Sequence, residues 1–344
     1  MNNNYNAPRK ISVLPLALVQ VVSSLLLAIS ARTGFLHIGV FCVAAASAMF
    51  ALQIMVSKNY MYLATAVLSV CAAFLIVGVF PAAMCAFAVP AGAMTAALVR
   101  RKSTKISVVA ALDIMYIVLF SGLFLTVYLL AGNEFSVSAI TGYFSDIVNV
   151  LRDGLINNIK GDEEVLLALM NLLMLKEAEE LFVYIEAIFE TFKLILPAIL
   201  ISTMGVVAYL TAALFKFGTV LANCELVLPD PKWETLPSKA SAVIYSVSYI
   251  VYSFTALFSS EVNVVWLVCY SVVIILSPLM MLMGAKWVSS LRNKGTVIAL
   301  LIFGSLFMYS LALMILAFFG VSEIFTRHNR MKKPEDRSDT ENKF

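Results

Sequence analysis

Hydrophobic residues in this chain are grouped in runs of about 20, separated by short polar or charged stretches. A helix of about 20 residues crosses the roughly 30 Å of hydrocarbon in a bilayer. We therefore predict that these runs are transmembrane helices. Five of them precede residue 132: Ile11 to Ser30, Gly34 to Met55, Tyr60 to Val77, Val79 to Val99 and Ile106 to Ala131.

A charged interruption, residues 132–193, follows these runs and is called the acidic segment below. It carries eleven acidic residues against four basic ones. Its apolar residues recur at helical spacing, which predicts two or three amphipathic helices that lie on the membrane surface or cap the bundle. We expect Asp162 to be the N-cap of a helix that begins at Glu163.

A second membrane block begins at Leu194, and a polar loop, residues 223–239, interrupts it. Its runs are Leu194 to Phe215, Ser241 to Phe258, Val262 to Met283 and Val297 to Phe319. The pattern therefore predicts an all-α polytopic transmembrane bundle of about eight or nine spans with an amphipathic, acidic extracytoplasmic insertion. The predicted segments are 1–131, 132–193, 194–325 and a disordered tail, 326–344.

Basic residues indicate the orientation. Arg9 and Lys10 precede the first run, and Arg100 to Lys102 follow the fourth, so the positive-inside rule places the N-terminus in the cytoplasm and the acidic segment outside. The first run is longer than a signal-peptide core and is expected to be retained. Nine crossings would leave the basic tail outside. A re-entrant last run, a crossing helix in the acidic segment, or the acids of the tail would each resolve this conflict.

Composition narrows the class of protein. Hydrophobic residues make up 61% of the chain and charged residues 13%, which excludes a water-soluble fold. The net charge of +3 is too small to indicate nucleic-acid binding. The five cysteines show no disulfide or zinc-binding spacing. Because no catalytic or nucleotide-binding pattern is present, we expect neither enzymatic activity nor a cofactor.

Small residues in the fourth run predict a close helix contact. Ala88, Gly92 and Ala96 recur every four residues and so share one face, where another helix backbone can approach. The partner is either a helix of this chain or a separate membrane subunit. Pro90 in the same run is expected to kink the helix.

Asp113 is the strongest candidate for a solute or proton site. It is the only acid before residue 132 and lies about 10 Å into the fifth run. An intramembrane carboxylate costs about 2.5 kcal/mol or more on insertion scales, so it should face the bundle or a wet cavity. The alternative is a structural group that is hydrogen-bonded to Gln20, Gln53 or Tyr116.

A second candidate is the pair Glu186 and Glu190, one helical turn apart just before the sixth run. Two carboxylates at this spacing can bind a cation or a cationic solute at the mouth of the bundle. A solvated helix face has the same pattern, so both interpretations stay open.

Two short segments resemble a known family. One is the loop 228–237, LPDPKWETLP, and the other is the closing segment 320–327, GVSEIFTR. They resemble the YybS-like family of predicted multipass bacterial membrane proteins, a domain of unknown function. The residues that carry the resemblance are Pro229, Trp233 and Pro237 in the loop and Gly320, Glu323 and Arg327 in the closing segment.

That family is distantly similar to the substrate-binding membrane subunits of energy-coupling-factor transporters, which borrow ATPases from a shared module. The resemblance implies a bacterial cell membrane and, as partners, a membrane coupling subunit and ATPases. The leading hypothesis is a protein of transport type that binds a small solute within its first helical block. The competing hypothesis is an envelope protein whose extracytoplasmic helices recruit a partner.

Overall fold

The computed structural model describes residues 13–33, 36–57, 60–130, 132, 136–221, 237–258, 263–291, 295, 297 and 309–332. Every regular element among these residues is an α-helix. In chain order the helices are α1 (Val13–Thr33), α2 (Leu36–Val56), α3 (Met61–Val77), α4 (Val79–Ala86), α5 (Ala88–Arg100), α6 (Lys105–Leu130), α7 (Val137–Gly161), α8 (Glu163–Leu173), α9 (Ala178–Leu221), α10 (Lys239–Phe258), α11 (Val264–Ser290) and α12 (Tyr309–Lys332).

Seven helical stretches in the described residues are long and apolar enough to cross a membrane. They belong to α1, α2, α4 with α5, α6, α9, α10 and α11. The 17-residue α3 is apolar but shorter. Much of the last predicted run, from Val297 to Phe319, lies outside the described residues. The chain is therefore an integral membrane protein with the predicted all-α polytopic architecture.

The chain divides into two compact units. Unit 1 contains residues 1–124 and 203–235, and unit 2 contains residues 125–202 and 236–344. The long helices α6 and α9 each contribute residues to both units.

Helix α2 is the centre of unit 1. All of its residues from Cys42 to Gln53 are buried, because a run of small residues from Ala44 to Ala48 lets neighbouring helices approach. Helix α5 packs on it through Gly92, where a Cβ atom would lie 2.6 Å from the backbone oxygen of Ser47. At its end, Arg100 of α5 donates a hydrogen bond to the carbonyl oxygen of Ile54 at 2.9 Å. This contact satisfies one of the open carbonyls at the C-terminus of α2.

The third predicted span ends at the predicted residue, whereas the fourth is divided into two helices. Helix α3 ends at Val77, the predicted last residue of the third span, and Gly78 follows it with a φ of +115°, which favours glycine. The predicted continuous span from Val79 to Val99 is interrupted at Phe87. Pro90 lies in the first turn of α5, where its missing N–H removes no bond of that helix.

In unit 2, α11 and α12 cross at two glycines. A Cβ atom on Gly284 would overlap the carbonyl oxygen of Leu316, and one on Gly320 would overlap that of Met280. The two backbones are therefore in direct contact, and the side chains of Ala317 and of Met280 are fully buried beside them.

Amphipathic helices form the acidic segment, as predicted. The carboxylate of Asp162 accepts hydrogen bonds from the backbone N–H groups of Glu164 and Val165, so the predicted N-cap is confirmed. Helix α9 runs without a break from Ala178 to Leu221, so the predicted segment boundary after Lys193 lies inside one helix. No glycine or proline lies between Ala178 and Leu196. The helix therefore continues through the change from charged to apolar sequence.

Candidate functional site

Three hydroxyl groups from three helices meet inside unit 1 and are called the hydroxyl cluster. The phenol oxygen of Tyr116 on α6 lies 2.8 Å from Oγ of Ser47 on α2 and 3.0 Å from Oγ1 of Thr211 on α9. All three residues are at most 2% exposed. A buried hydroxyl without a partner costs about 1–3 kcal/mol, so these contacts stabilise the meeting of the three helices.

Two members of the hydroxyl cluster also bond carbonyl oxygens of their own helices. Ser47 donates to the carbonyl oxygen of Val43 at 2.8 Å, and Thr211 donates to that of Val207 at 2.8 Å. Tyr116 donates its phenol hydrogen to Ser47, and its oxygen can accept the hydroxyl hydrogen of Thr211. Every hydroxyl oxygen of the cluster therefore has a hydrogen-bond partner.

Asp113 lies one helical turn before Tyr116 on α6 and faces Gly205 on α9. A Cβ atom on Gly205 would lie in ordinary contact with Asp113, 3.8 Å from Oδ2 and 3.9 Å from Oδ1. The carboxyl group therefore fits beside α9 without a clash. Oδ1 is buried and has no hydrogen-bond partner among the described residues. Asp113 is thus an acid in a membrane-spanning helix, and its Oδ1 atom is available to accept a hydrogen bond.

The partners that the sequence suggested for Asp113 bond elsewhere. Gln53 donates to Oε1 of Gln20 at 2.5 Å, and Thr65 donates to Oε1 of Gln53 at 2.8 Å. These contacts join α1, α2 and α3. Tyr116 bonds within the hydroxyl cluster, as described above. The two buried polar groupings in unit 1 are therefore both anchored on α2, while Asp113 faces α9.

The predicted pair Glu186 and Glu190 contacts cations of the protein itself in unit 2. The guanidinium of Arg152 on α7 lies 3.6 Å from Oε1 of Glu186 and 3.9 Å from Oε1 of Glu190. The ammonium of Lys193 lies 2.5 Å from Oε1 of Glu190. A hydrogen bond to Asp153 holds the pKa of Arg152 above its usual value, so this guanidinium remains charged.

These ion pairs join α7 to α9. The glutamate side chains are 61% and 55% exposed, so solvent screens these pairs and they add little stability. The two carboxylates therefore serve in this structure as surface partners of Arg152 and Lys193.

Two further sets of predicted residues are those of the helix-packing face and those that carry the family resemblance. Ala88, Gly92 and Ala96 are buried in unit 1, where Gly92 packs against α2 of the same chain. Gly320 is a crossing glycine of α12, and one turn later Glu323 forms an ion pair with Arg327. Pro237 is buried just before α10, whereas Pro229 and Trp233 lie outside the described residues.

Sequence reasoning found Asp113 but missed the hydroxyl cluster and Gly205. Single serine and threonine residues are common in membrane helices, because each can bond a carbonyl in the preceding turn of its own helix. The available signal was the spacing of three residues between Asp113 and Tyr116, which places them on neighbouring parts of one helix surface.

In the part of the chain that the structure describes, no three histidine, cysteine or acidic side chains come close enough to hold a metal ion. The arrangement at Asp113 instead suits a proton, a monovalent cation or a hydrogen-bond donor of a small solute. Comparison of the chain with models of protein families, with curated proteins and with solved structures finds no match.

Proposed function

We propose that this membrane protein is of transport type and binds a small solute within unit 1 at Asp113. The observation that carries the proposal is the buried Oδ1 atom of Asp113, which has no hydrogen-bond partner among the described residues. An unpaired buried acceptor costs about 1–3 kcal/mol, and a charged one costs more. A solute that donates to this oxygen would recover that free energy, which favours binding there.

The surroundings of Asp113 support a binding role over a purely structural one. A structural carboxyl group is expected to have its hydrogen bonds satisfied within the bundle. Oδ1 of Asp113 instead has no partner among the described residues, and Gly205 beside it adds no side chain next to the carboxyl group. A solute with an ammonium or hydroxyl group would supply the missing donor to Oδ1 of Asp113.

The proposal extends to orientation and coupling through the basic clusters and the family resemblance. The N-terminus is cytoplasmic, and the chain lies in a bacterial cell membrane. Because the sequence contains no glycine-rich phosphate loop, ATP-driven transport would require separate ATPases and a membrane coupling subunit.

The test is mass spectrometry of small molecules that remain bound after purification in mild detergent. Asp113→Asn keeps the shape of the side chain but cannot ionise, and Asp146→Asn makes the same change at an exposed acid of α7. We expect the wild type and Asp146→Asn to retain the same solute and Asp113→Asn to lose it. Equal retention by all three proteins, or no retained solute in the wild type, would contradict the proposal.

A second candidate function is recruitment of a protein partner through α8. Its C-terminal end presents Leu172, 76% exposed, and Met174, 90% exposed, to the surroundings. Because α9 is continuous from Ala178, a clean deletion should end before it and remove residues 137–175. Under the transport proposal this deletion preserves solute retention. Loss of a co-purifying protein with no effect on any solute would favour recruitment.

A further inference from the structure

A narrow groove lies between α7 and α9 within unit 2. Its volume is about 280 Å³, and its walls are the apolar side chains of Phe144 and Val148 on α7 and of Leu196, Pro197 and Leu200 on α9. Pockets for drug-sized ligands measure roughly 300–1,000 Å³. This groove is slightly smaller than that range and suits a single unbranched alkyl chain.

The groove lies along the part of α9 where the sequence becomes apolar. Between Leu194 and Tyr209 the helix contains no charged residue, and this stretch belongs to a membrane-spanning helix. From Lys193 to Leu200 the groove extends about 10 Å along the helix axis, at about 1.5 Å per residue. The surrounding medium along this wall is therefore lipid hydrocarbon.

Exposed side chains beside the groove agree with a lipid environment. Leu194 on α9 is 50% exposed, and Ile147, Val150 and Leu151 on α7 are 39%, 70% and 57% exposed. Apolar surface of this extent on an amphipathic helix is stabilised when acyl chains cover it. The groove is thus open to acyl chains from the bilayer.

Two polar side chains also line the groove, those of Lys193 and Ser145, and Lys193 is the first of the lining residues on α9. The side chain of Lys193 is only 17% exposed, and its ammonium contacts Glu190 at 2.5 Å. An ammonium has three N–H groups, so this pair leaves further donors for an anionic oxygen. A lysine at the boundary between charged and apolar sequence keeps its charge at headgroup level.

We infer that this groove is a phospholipid site, in which one acyl chain fills the space between α7 and α9 and Lys193 donates hydrogen bonds to the phosphate. The bilayer supplies the occupant, because the groove opens where hydrocarbon replaces water. The inference does not depend on Asp113 or on solute binding, since all of its residues belong to unit 2.

The lipid site is tested by placing a larger side chain in the groove. In α9, Leu196 lines the groove and Leu194 faces outward, so Leu196→Trp and Leu194→Trp are the same change two residues apart. Delipidated protein is titrated with palmitoyl-oleoyl phosphatidylglycerol, and bound lipid is counted by native mass spectrometry. We expect Leu196→Trp to weaken the tightest binding event about tenfold or more and Leu194→Trp to leave it unchanged. Equal affinities in the two variants overturn the inference.

The phosphate contact is tested separately with Lys193→Gln. This variant should bind phosphatidylglycerol at least about fivefold more weakly while binding palmitoyl-oleoyl glycerol, which lacks a phosphate, as the wild type does. Unchanged phosphatidylglycerol binding overturns the assignment of Lys193. Melting temperatures of all variants are compared with that of the wild type. If Leu196→Trp does not fold, Leu196→Phe replaces it with the same expected direction, and its matched control is Leu194→Phe.

Discussion

Replacement of Gly320 by alanine tests the direct backbone contact between α11 and α12 in unit 2. The new Cβ atom would overlap the carbonyl oxygen of Met280 and would lie 2.9 Å from the backbone nitrogen of Gly284. Both groups are backbone and cannot rotate away. Ordinary Cβ contacts are 3.4 Å or longer, so α11 and α12 must separate by about 1 Å or more.

The free-energy change follows from two opposing effects. Alanine inside a helix is favoured over glycine by about 1 kcal/mol. Separation by about 1 Å removes a quarter to a half of the dispersion attraction between facing atoms, and overpacking costs about 1–3 kcal/mol. Because the overlap is with backbone, we take the upper end of that range. The expected net destabilisation is about 2 kcal/mol, or roughly 4–8 °C in melting temperature.

The assay is the fraction of monodisperse protein that remains after heating in detergent, measured by size-exclusion chromatography. Gly122→Ala in α6 is the matched control, because a Cβ atom there meets nothing within 4 Å. Gly284→Ala should resemble Gly320→Ala, since its Cβ atom overlaps the carbonyl oxygen of Leu316. If Gly320→Ala melts at or above the wild-type temperature, the described crossing of α11 and α12 is wrong.

Two further predictions concern unit 1 and the topology. Tyr116→Phe removes the hydroxyl that joins Ser47 to Thr211 and should cost about 1–2 kcal/mol, seen as a lower melting temperature in the same assay. A variant that melts with the wild type would show that the hydroxyl cluster adds no stability. A reporter that works only outside the cell should be active when fused between Asn133 and Ile159 and silent at Ser103. Activity at Ser103 would reverse the predicted orientation.

Features that depend on neighbouring residues could be predicted from the sequence. The apolar runs identify the transmembrane helices, because the thickness of hydrocarbon sets their length and every backbone polar group must be bonded within its own helix. Asp162 could be identified as an N-cap because the bonds involve only the next three residues. One local break was not predicted, since the fourth span is interrupted at Phe87, whereas a kink had been expected at Pro90.

The candidate site is only partly readable from the sequence. Asp113 is conspicuous because an acid within hydrocarbon is costly wherever its helix packs. The hydrogen-bond partners of the nearby Tyr116 could not be predicted, because they lie 69 and 95 positions away in the chain. Helices in lipid lack a strong hydrophobic driving force for pairing, so small differences in packing select the neighbours.

By itself the sequence determined the class of protein, its helical segments, their amphipathic or apolar character and the isolated acid at position 113. Only the tertiary structure decided that α2 is the centre of unit 1, that Gly205 lies beside Asp113, and that Arg152 lies next to Glu186 and Glu190. The physical reason is the range of the interactions. Membrane insertion depends on the composition of one segment, whereas pairing depends on surfaces that come from distant parts of the chain.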